Sequence, residues 1–239
     1  MPLIIVIGRG HAGTRAIAQT LLASGVYMGD RLNDSNDLLP ARAMYDACRV
    51  MARHVGRRGD LEWDFSKLHD MPIDEAFTRL VESYLASVLQ SENALKGWKL
   101  PETTLVYPWI VRMFPDAYFI QWVRDPRDAI LGAHMTDDLG DFDIPYGPTD
   151  DVFRRRAISW KYQVDIVAAT PPPRNFITMR FEDFVLDQEA TLARLEAFLG
   201  IPMTQTSVQP EAVGRFRGVD DPPAVDFLRD SMVRHGYVD

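Results

Sequence analysis

The sequence predicts an α/β fold in which one parallel β-sheet is covered by helices on both faces. Short apolar runs that suit strands buried on both sides, such as residues 3–7 and 118–123, alternate along the chain with longer helical patterns. The chain has 239 residues, of which 46% are hydrophobic and 25% charged, so it can bury one substantial core. We therefore expect a single domain over residues 1–239, arranged as a three-layer sandwich.

The predicted elements follow in order along the chain. The first strand covers residues 3–7, and later strands are predicted at 94–99, 118–123 and 176–179. Helical spacing of apolar residues marks the segments 14–24, 41–55, 74–90, 103–114, 127–133, 152–169 and 190–199. Turn-forming residues fill the segment 29–40. The acidic segment 135–151, which is rich in Gly and Pro, is expected to be either a solvated surface loop or a mobile lid.

Charge and cysteine content exclude several classes of protein. The formal net charge is −8, whereas a nucleic-acid-binding protein usually carries a basic surface, so no nucleic-acid partner is expected. A few cations focused in one cleft could still bind an anion. The single cysteine, Cys48, cannot form an internal disulfide. The scattered histidines predict no metal site, and the apolar runs are too short for a secretion signal or a membrane span. A cytoplasmic protein is the expectation.

The most informative segment directly follows the first strand. It reads Gly8-Arg9-Gly10-His11-Ala12-Gly13-Thr14-Arg15, and its spacing approximates the phosphate-binding loop GxxxxGK[ST]. Glycines let backbone N–H groups turn inward, and the following helix presents its positive N-terminal end to an anion. The sequence therefore predicts an anion site in a P-loop-type sandwich, although a tight turn without ligand would share part of this pattern.

The loop departs from that of a nucleoside triphosphatase, because the lysine expected after Gly13 is replaced by Thr14. A P-loop kinase or nucleotide hydrolase is thus the second hypothesis, and its activity would depend on Mg²⁺. A module that only binds a nucleotide or a protein partner is the third.

Four segments, taken in order, resemble the sulfotransferase family. The first is the loop just described, which is similar to the family's 5′-phosphosulfate loop. The others are the strand that ends in Lys99, the strand and turn around Arg124, and the late segment 179–202 with its Leu-Gly-Ile-Pro ending. The resemblance covers about residues 3–202. It implies 3′-phosphoadenosine 5′-phosphosulfate (PAPS) as donor, adenosine 3′,5′-bisphosphate (PAP) as product, and no metal.

The resemblance also implies which residues hold the donor. Gly10, Gly13, Thr14 and the backbone around His11 and Ala12 correspond to the 5′-phosphosulfate loop. The family usually has Lys or Arg where this chain has His11, so Arg9 or Arg15 could supply the permanent charge instead. Arg124 is implied as a 3′-phosphate ligand, with a surface ion pair to Asp125 or Asp128 as the alternative. Where the family often has a second phosphate ligand, a serine, this chain has Gly132.

By the same resemblance, Lys99 is the candidate that would stabilise the negative charge growing on the leaving nucleotide, with a solvated lysine at a strand end as the alternative. His11, at the family's basic position, is a further catalytic candidate. Many cytosolic relatives carry a histidine base two residues after the lysine, but this chain has Pro101 there. Asp37 and Glu102 are therefore the candidate general bases, although Asp37 also suits a turn.

A late basic turn resembles the one that closes over the 3′-phosphate in the family. It contains Arg215 and Arg217 between glycines, a pattern that an exposed loop would share. The expected acceptor is a small molecule or carbohydrate with a hydroxyl or amine, and the sequence does not indicate an oligomeric state.

Overall fold

The computed structural model describes residues 3–220 and 224–238 and confirms the predicted fold class. The strands are β1 (Ile4–Ile7), β2 (Gly56–Gly59), β3 (Glu62–Asp64), β4 (Gly97–Lys99), β5 (Tyr118–Val123) and β6 (Asn175–Arg180). Four of them form a parallel sheet in the order β4-β1-β5-β6. The short strands β2 and β3 form a separate antiparallel hairpin.

The helices connect the strands and cover the sheet. They are α1 (Thr14–Ala23), α2 (Arg42–Ala52), α3 (Ser66–Asp70), α4 (Glu75–Tyr84), α5 (Ala86–Leu89), α6 (Tyr107–Met113), α7 (Pro126–Ala129), α8 (Val152–Ala169), α9 (Phe181–Leu186), α10 (Gln188–Leu199) and α11 (Arg229–Arg234). Shorter 3-10 turns occupy Pro101–Val106, Met135–Asp137, Leu139–Phe142, Pro210–Ala212, Arg215–Gly218 and Asp226–Leu228.

The alternation of side chains along β1 divides the core into two layers. Ile5 and Ile7 pack into the apolar cluster shared with α2, α4, α6 and α8. Ile4 and Val6 point to the opposite face and pack with α1, α9 and α10. Successive residues of a strand face opposite sides of the sheet, so a strand covered on both faces offers mainly apolar positions. This is why the continuous apolar run of β1 correctly predicted a central parallel strand.

Some predicted elements differ from those in the structure. The helix expected over 127–133 is the single turn α7, and the segment 103–114 begins as a 3-10 turn before α6. The β2–β3 hairpin was not predicted, because its strands are short and charged and lack alternating apolar residues. In α8, Phe153 is part-exposed, whereas Ile158, Tyr162 and Ile166 lie in the core as the predicted stripe requires.

The acidic segment 135–151 is anchored to the core at several points. It contains two of the 3-10 turns, and the side chains of Leu139, Phe142 and Ile144 are buried in the cluster that also holds α2. The Tyr146 hydroxyl donates a hydrogen bond to Asp138 at 2.7 Å. A lid built from this segment stays a prediction, and any movement would have to release these apolar contacts.

Candidate functional site

The carboxyl ends of three neighbouring strands meet at one polar cleft of about 320 Å³. The phosphate loop leaves β1, Lys99 is the last residue of β4, and Arg124 follows β5. Because these strands are parallel and adjacent, residues far apart in sequence reach the same edge of the sheet. The cleft is lined by Gly10, His11, Gly13, Thr14, Arg15, Ser35, Asp37, Lys99, Pro101, Arg124, His134 and Arg215.

The loop itself has the geometry of an anion cradle. Gly13 adopts φ +83° immediately before α1, a conformation that favours glycine. Among the described residues, no side chain caps the N-terminus of α1 and no acidic residue lies in its first turn. The first N–H groups of the helix are thus not satisfied by side-chain acceptors and carry the positive end of the helix dipole.

Two rings pack so closely on the loop that only glycine fits beneath them. A Cβ at Gly13 would lie 2.3 Å from the ring of Phe181, and one at Gly10 would lie 2.1 Å from the ring of His134. The loop is therefore held in shape by its neighbours before any ligand arrives, which lowers the entropic cost of binding.

Arg9 is buried and engaged with protein acceptors instead of lining the cleft. Its guanidinium donates to the carbonyls of Gly10 and Ala129 and forms an ion pair with Asp137. Asp137 also accepts from the Arg156 guanidinium at 3.0 Å. Burial lowers the pKa of Arg9 to about 10. These contacts make Arg9 a better candidate for organising the loop than for contacting an anion.

Arg124 is the buried cation at the end of β5. Its guanidinium donates to the His11 carbonyl at 3.1 Å and to the Ala212 carbonyl, and lies 3.4 Å from Asp128. The ion pair with Asp128, an alternative considered from sequence, is present, but the pair is buried and beside the cleft. The Nε atom of Arg124 has no hydrogen-bond partner within residues 3–220 and 224–238. Burial lowers the pKa of Arg124, and the nearby Arg215 lowers it further.

Asp128 fixes the basic turn, residues 214–218, over the cleft. Its carboxylate is fully buried and accepts from the backbone N–H groups of Gly214 at 2.7 Å and Phe216 at 2.9 Å. This places Arg215 in the cleft lining. Arg217 does not line the cleft, and its guanidinium lies 5.6 Å from the Phe216 ring centroid. Sequence reasoning had treated Asp128 only as an ion-pair partner, since nothing local indicates a contact to residues 214–216.

Lys99 is held by residues of the polar loop that follows α1. Its Nζ atom donates to the Ser35 carbonyl and to the Asp37 carboxylate, each at 2.6 Å. Both side chains of the ion pair are largely buried. Burial lowers the pKa of Lys99, and Asp37 opposes this effect. An Asn33 side chain donates to Asp37 at 3.0 Å, so the turn predicted at this position also orients the carboxylate.

Glu102 is buried behind the cleft and does not line it. Its side chain is 1% exposed, and neither carboxylate oxygen has a hydrogen-bond partner among the residues that the structure describes. Burial raises the pKa of Glu102 to about 7, and Asp37 adds to the rise. The group thus carries a proton between pH 4.5 and about 7, where an ordinary glutamate is ionised.

Sequence reasoning missed His134, whose ring lines the cleft. Its Nδ1 atom accepts from the Thr136 N–H at 3.2 Å, so the proton of the neutral ring sits on Nε2. Burial lowers the pKa of His134 to about 4, and Arg9 and His11 contribute. In the sequence His134 is one of several scattered histidines, because only the fold brings it against the loop.

The structure thus gathers most predicted site residues and separates a few. Those that line the cleft are Gly10, His11, Gly13, Thr14, Arg15, Asp37, Lys99, Arg124 and Arg215. Those that do not line it are Arg9, Ala12, Glu102 and Arg217. Pro101 does line it, at the position where the family resemblance would place a histidine base, so the base has to come from elsewhere.

Within residues 3–220 and 224–238, no cluster of three or more His, Cys, Asp or Glu side chains is arranged to hold a metal ion. None of the helices in that part of the chain is both long and apolar enough to span a bilayer.

The fold and the cleft define an α/β protein in which cationic side chains and an uncapped helix N-terminus meet at the carboxyl end of a parallel sheet. The model of the sulfotransferase family matches residues 2–205, and the chain belongs to that family. No curated protein is similar enough in sequence to match the chain.

Solved structures share the fold at low sequence identity. The sulfotransferase domain of the olefin synthase from Synechococcus PCC 7002 is 15% identical with a TM-score of 0.61, over 100% of this chain and 95% of that domain. The sulfotransferase domain from the curacin biosynthetic pathway is 12% identical with a TM-score of 0.63, and the match covers 100% of this chain and 99% of that domain. Sulfotransferase STF9 from Mycobacterium avium is 15% identical with a TM-score of 0.52, and the match covers 98% of this chain and 75% of that protein.

Proposed function

We propose that the protein transfers a sulfuryl group from PAPS to a hydroxyl or amine of a small-molecule or carbohydrate acceptor and releases PAP. The observation that carries this proposal is the convergence of Lys99, Arg124 and Arg215 on one cleft beside the loop before α1. Three cations and an uncapped helix N-terminus suit a ligand with more than one anionic group.

The donor's two anionic ends have separate candidate partners. The loop around Gly13 and Thr14, with the N-terminus of α1, would hold the 5′-phosphosulfate through backbone N–H groups. Arg124 and Arg215 would hold the 3′-phosphate. The unpartnered, buried Nε of Arg124 supports this fit, since a buried N–H without an acceptor is costly and an anion would satisfy it.

Bound PAPS would supply an activated sulfuryl group whose bridging oxygen gains negative charge during transfer. Lys99 is suited to stabilise that charge. An ammonium has three N–H donors, and Ser35 and Asp37 take two of them. The third is left for the cleft, on a cation whose position is already fixed and largely shielded from water. Such preorganised charge contributes strongly to catalysis.

Asp37 is the better candidate for the general base. It lines the cleft, whereas Glu102 does not. A carboxylate beside Lys99 can accept the acceptor's proton while the ammonium stabilises the leaving oxygen, so both groups act within one hydrogen-bonded pair. Glu102 would act on Asp37 only through the local field. We also propose that the protein works in the cytoplasm, since its single buried thiol suits a reducing compartment.

Calorimetric titration tests the donor site first. Purified protein is titrated with PAP without magnesium, and separately with ATP and magnesium. We expect tight binding of PAP, lost in Arg124→Ala and retained in Arg194→Ala, which removes an exposed arginine of α10. A preference for ATP with magnesium would favour a kinase or hydrolase, and binding of neither nucleotide would refute the proposal.

Transfer is then measured with sulfur-labelled PAPS and a panel of phenols, alcohols, amines and sugars. We expect Lys99→Ala to abolish turnover while largely preserving PAP binding, and Asp37→Asn to lower kcat far more than donor affinity. Loss of PAP binding together with turnover in Lys99→Ala would instead assign Lys99 to binding or folding. Binding of PAP with no turnover on any acceptor would favour a nucleotide-binding module without activity.

A further inference from the structure

His11 occupies an unusual place in the phosphate loop. Its backbone adopts φ +60°, which few residues other than glycine do. Its Nε2 atom lies 2.6 Å from the Ala133 carbonyl, and its own carbonyl accepts from Arg124 at 3.1 Å. A carbonyl oxygen only accepts, so Nε2 carries a hydrogen. Nδ1 has no hydrogen-bond partner among the described residues, and the ring lines the cleft.

The ring of His11 fills the space that a side chain at Gly132 would need. A Cβ at Gly132 would lie 2.3 Å from Nδ1 and 2.6 Å from Cγ of the imidazole. The backbone of Gly132 is not in the left-handed region, so glycine is not needed there for its conformational freedom. His11 and Gly132 are the two positions at which the sequence departs from the family resemblance, and they are sterically coupled, because the histidine ring needs the space above the glycine.

The charges around His11 place it at the arginine end of the cleft. Arg9 and Arg215 disfavour its protonation, Asp137 favours it, and burial adds the largest effect, so the pKa of His11 is lowered. The titratable and charged groups that face the ring or its backbone are Arg9, Arg124, His134, Asp137 and Arg215. Cations outnumber anions there and favour the neutral ring. An anion that binds beside the ring would add negative charge and favour the protonated form.

From these contacts we propose that His11 is a ligand of the anionic group that Arg124 and Arg215 attract. Its Nδ1 takes up one proton as that group binds, and Gly132 is required because only glycine leaves room for the ring. The group is a phosphate monoester dianion. The inference rests on the proposed function, in which this group is the 3′-phosphate of the donor, and it makes donor binding dependent on pH.

Proton uptake is measured by titrating PAP in pairs of buffers with different ionisation enthalpies, from about pH 6 to about pH 8.5. The wild type should bind PAP with uptake of a proton. In the pH range where His11 is protonated in the complex but neutral in the free protein, the affinity should fall by up to about tenfold for each unit by which pH rises. His11→Gln should remove that part of the pH dependence and leave only the titration of the nucleotide. Identical pH profiles for wild type and His11→Gln would overturn the inference about His11. The proposed donor site would still stand in that case, provided that the wild type binds PAP.

The steric part is tested by a double-mutant cycle. Gly132→Ala should weaken PAP binding in the wild-type protein but cost nothing further in the His11→Ala background, because the clashing ring is gone. Gly59→Ala, in the β2–β3 hairpin where a Cβ would meet no atom closer than 3.9 Å, is the matched control. Thermal unfolding of each variant confirms that it is folded. An equal cost of Gly132→Ala in both backgrounds would show that the ring is not the reason for glycine.

Discussion

Replacing Glu102 by glutamine should make the protein more stable at alkaline pH and not at acidic pH. Glu102 is 1% exposed, and its carboxyl oxygens have no hydrogen-bond partner among the described residues. Its pKa rises from the ordinary 4.5 to about 7 in the folded protein. Between these values the folded chain holds a proton that the unfolded chain has released. The stabilisation from this group is thus complete below pH 4.5 and is lost as pH rises through 7.

The magnitude follows from the same two values. Each unit of pKa corresponds to about 1.4 kcal/mol, so ionising the buried group costs about 3 kcal/mol at alkaline pH. Most of this stability, about 2–3 kcal/mol, is lost as pH rises from about 5 to about 8.5. An amide in the same place also lacks partners, but its cost does not change with pH. The stability of Glu102→Gln relative to wild type should therefore rise by about 2–3 kcal/mol across this range.

Urea unfolding at the two pH values measures the difference. The free energy of unfolding of wild type and Glu102→Gln is obtained at each pH by linear extrapolation. Glu82→Gln, an exposed carboxyl-to-amide change on α4, is the matched control and should show no such rise. If the gap between wild type and Glu102→Gln is the same at both pH values, the buried carboxyl does not titrate with a raised pKa and the reasoning fails.

Three further predictions concern single positions. Gly13→Ala should abolish PAP binding and lower the melting temperature by more than Gly25→Ala. Both glycines have a left-handed backbone, with φ +83° and +85°, but only a Cβ at Gly13 would meet a ring. The backbone strain alone, measured in Gly25→Ala, should cost roughly 1–2 kcal/mol. Cys48, buried and with a raised pKa, should not react with a thiol reagent at about pH 8 until urea unfolds the chain, and rapid labelling of native protein would contradict its burial. Asp128→Ala should release the basic turn, because its carboxylate holds two backbone N–H groups of that turn. Calorimetry should then show PAP binding weakened by about 10- to 100-fold. Unchanged affinity would mean that the turn does not contribute to binding.

Much of the fold could be predicted because its signals are local. The apolar runs that became β1 and β5 need both faces covered, whatever the neighbours are, and this indicates a parallel sheet. The helical spacing over 152–169 depends only on residues three and four apart, and α8 has those bounds. The glycines of the loop are likewise visible in the sequence, because a turn between strand and helix requires them.

Side-chain partners across the cleft could not be predicted, since they join residues that only the packed sheet brings together. Lys99 and Asp37 are separated by 62 positions, and nothing near either residue indicates the other. The same applies to His134, whose ring packs against Gly10 of the loop although 124 positions separate the two residues. The sequence by itself determined the sheet, the loop and the kinds of cation available. Only the tertiary structure decided which of them face the cleft, because orientation and burial are set by contacts between distant segments.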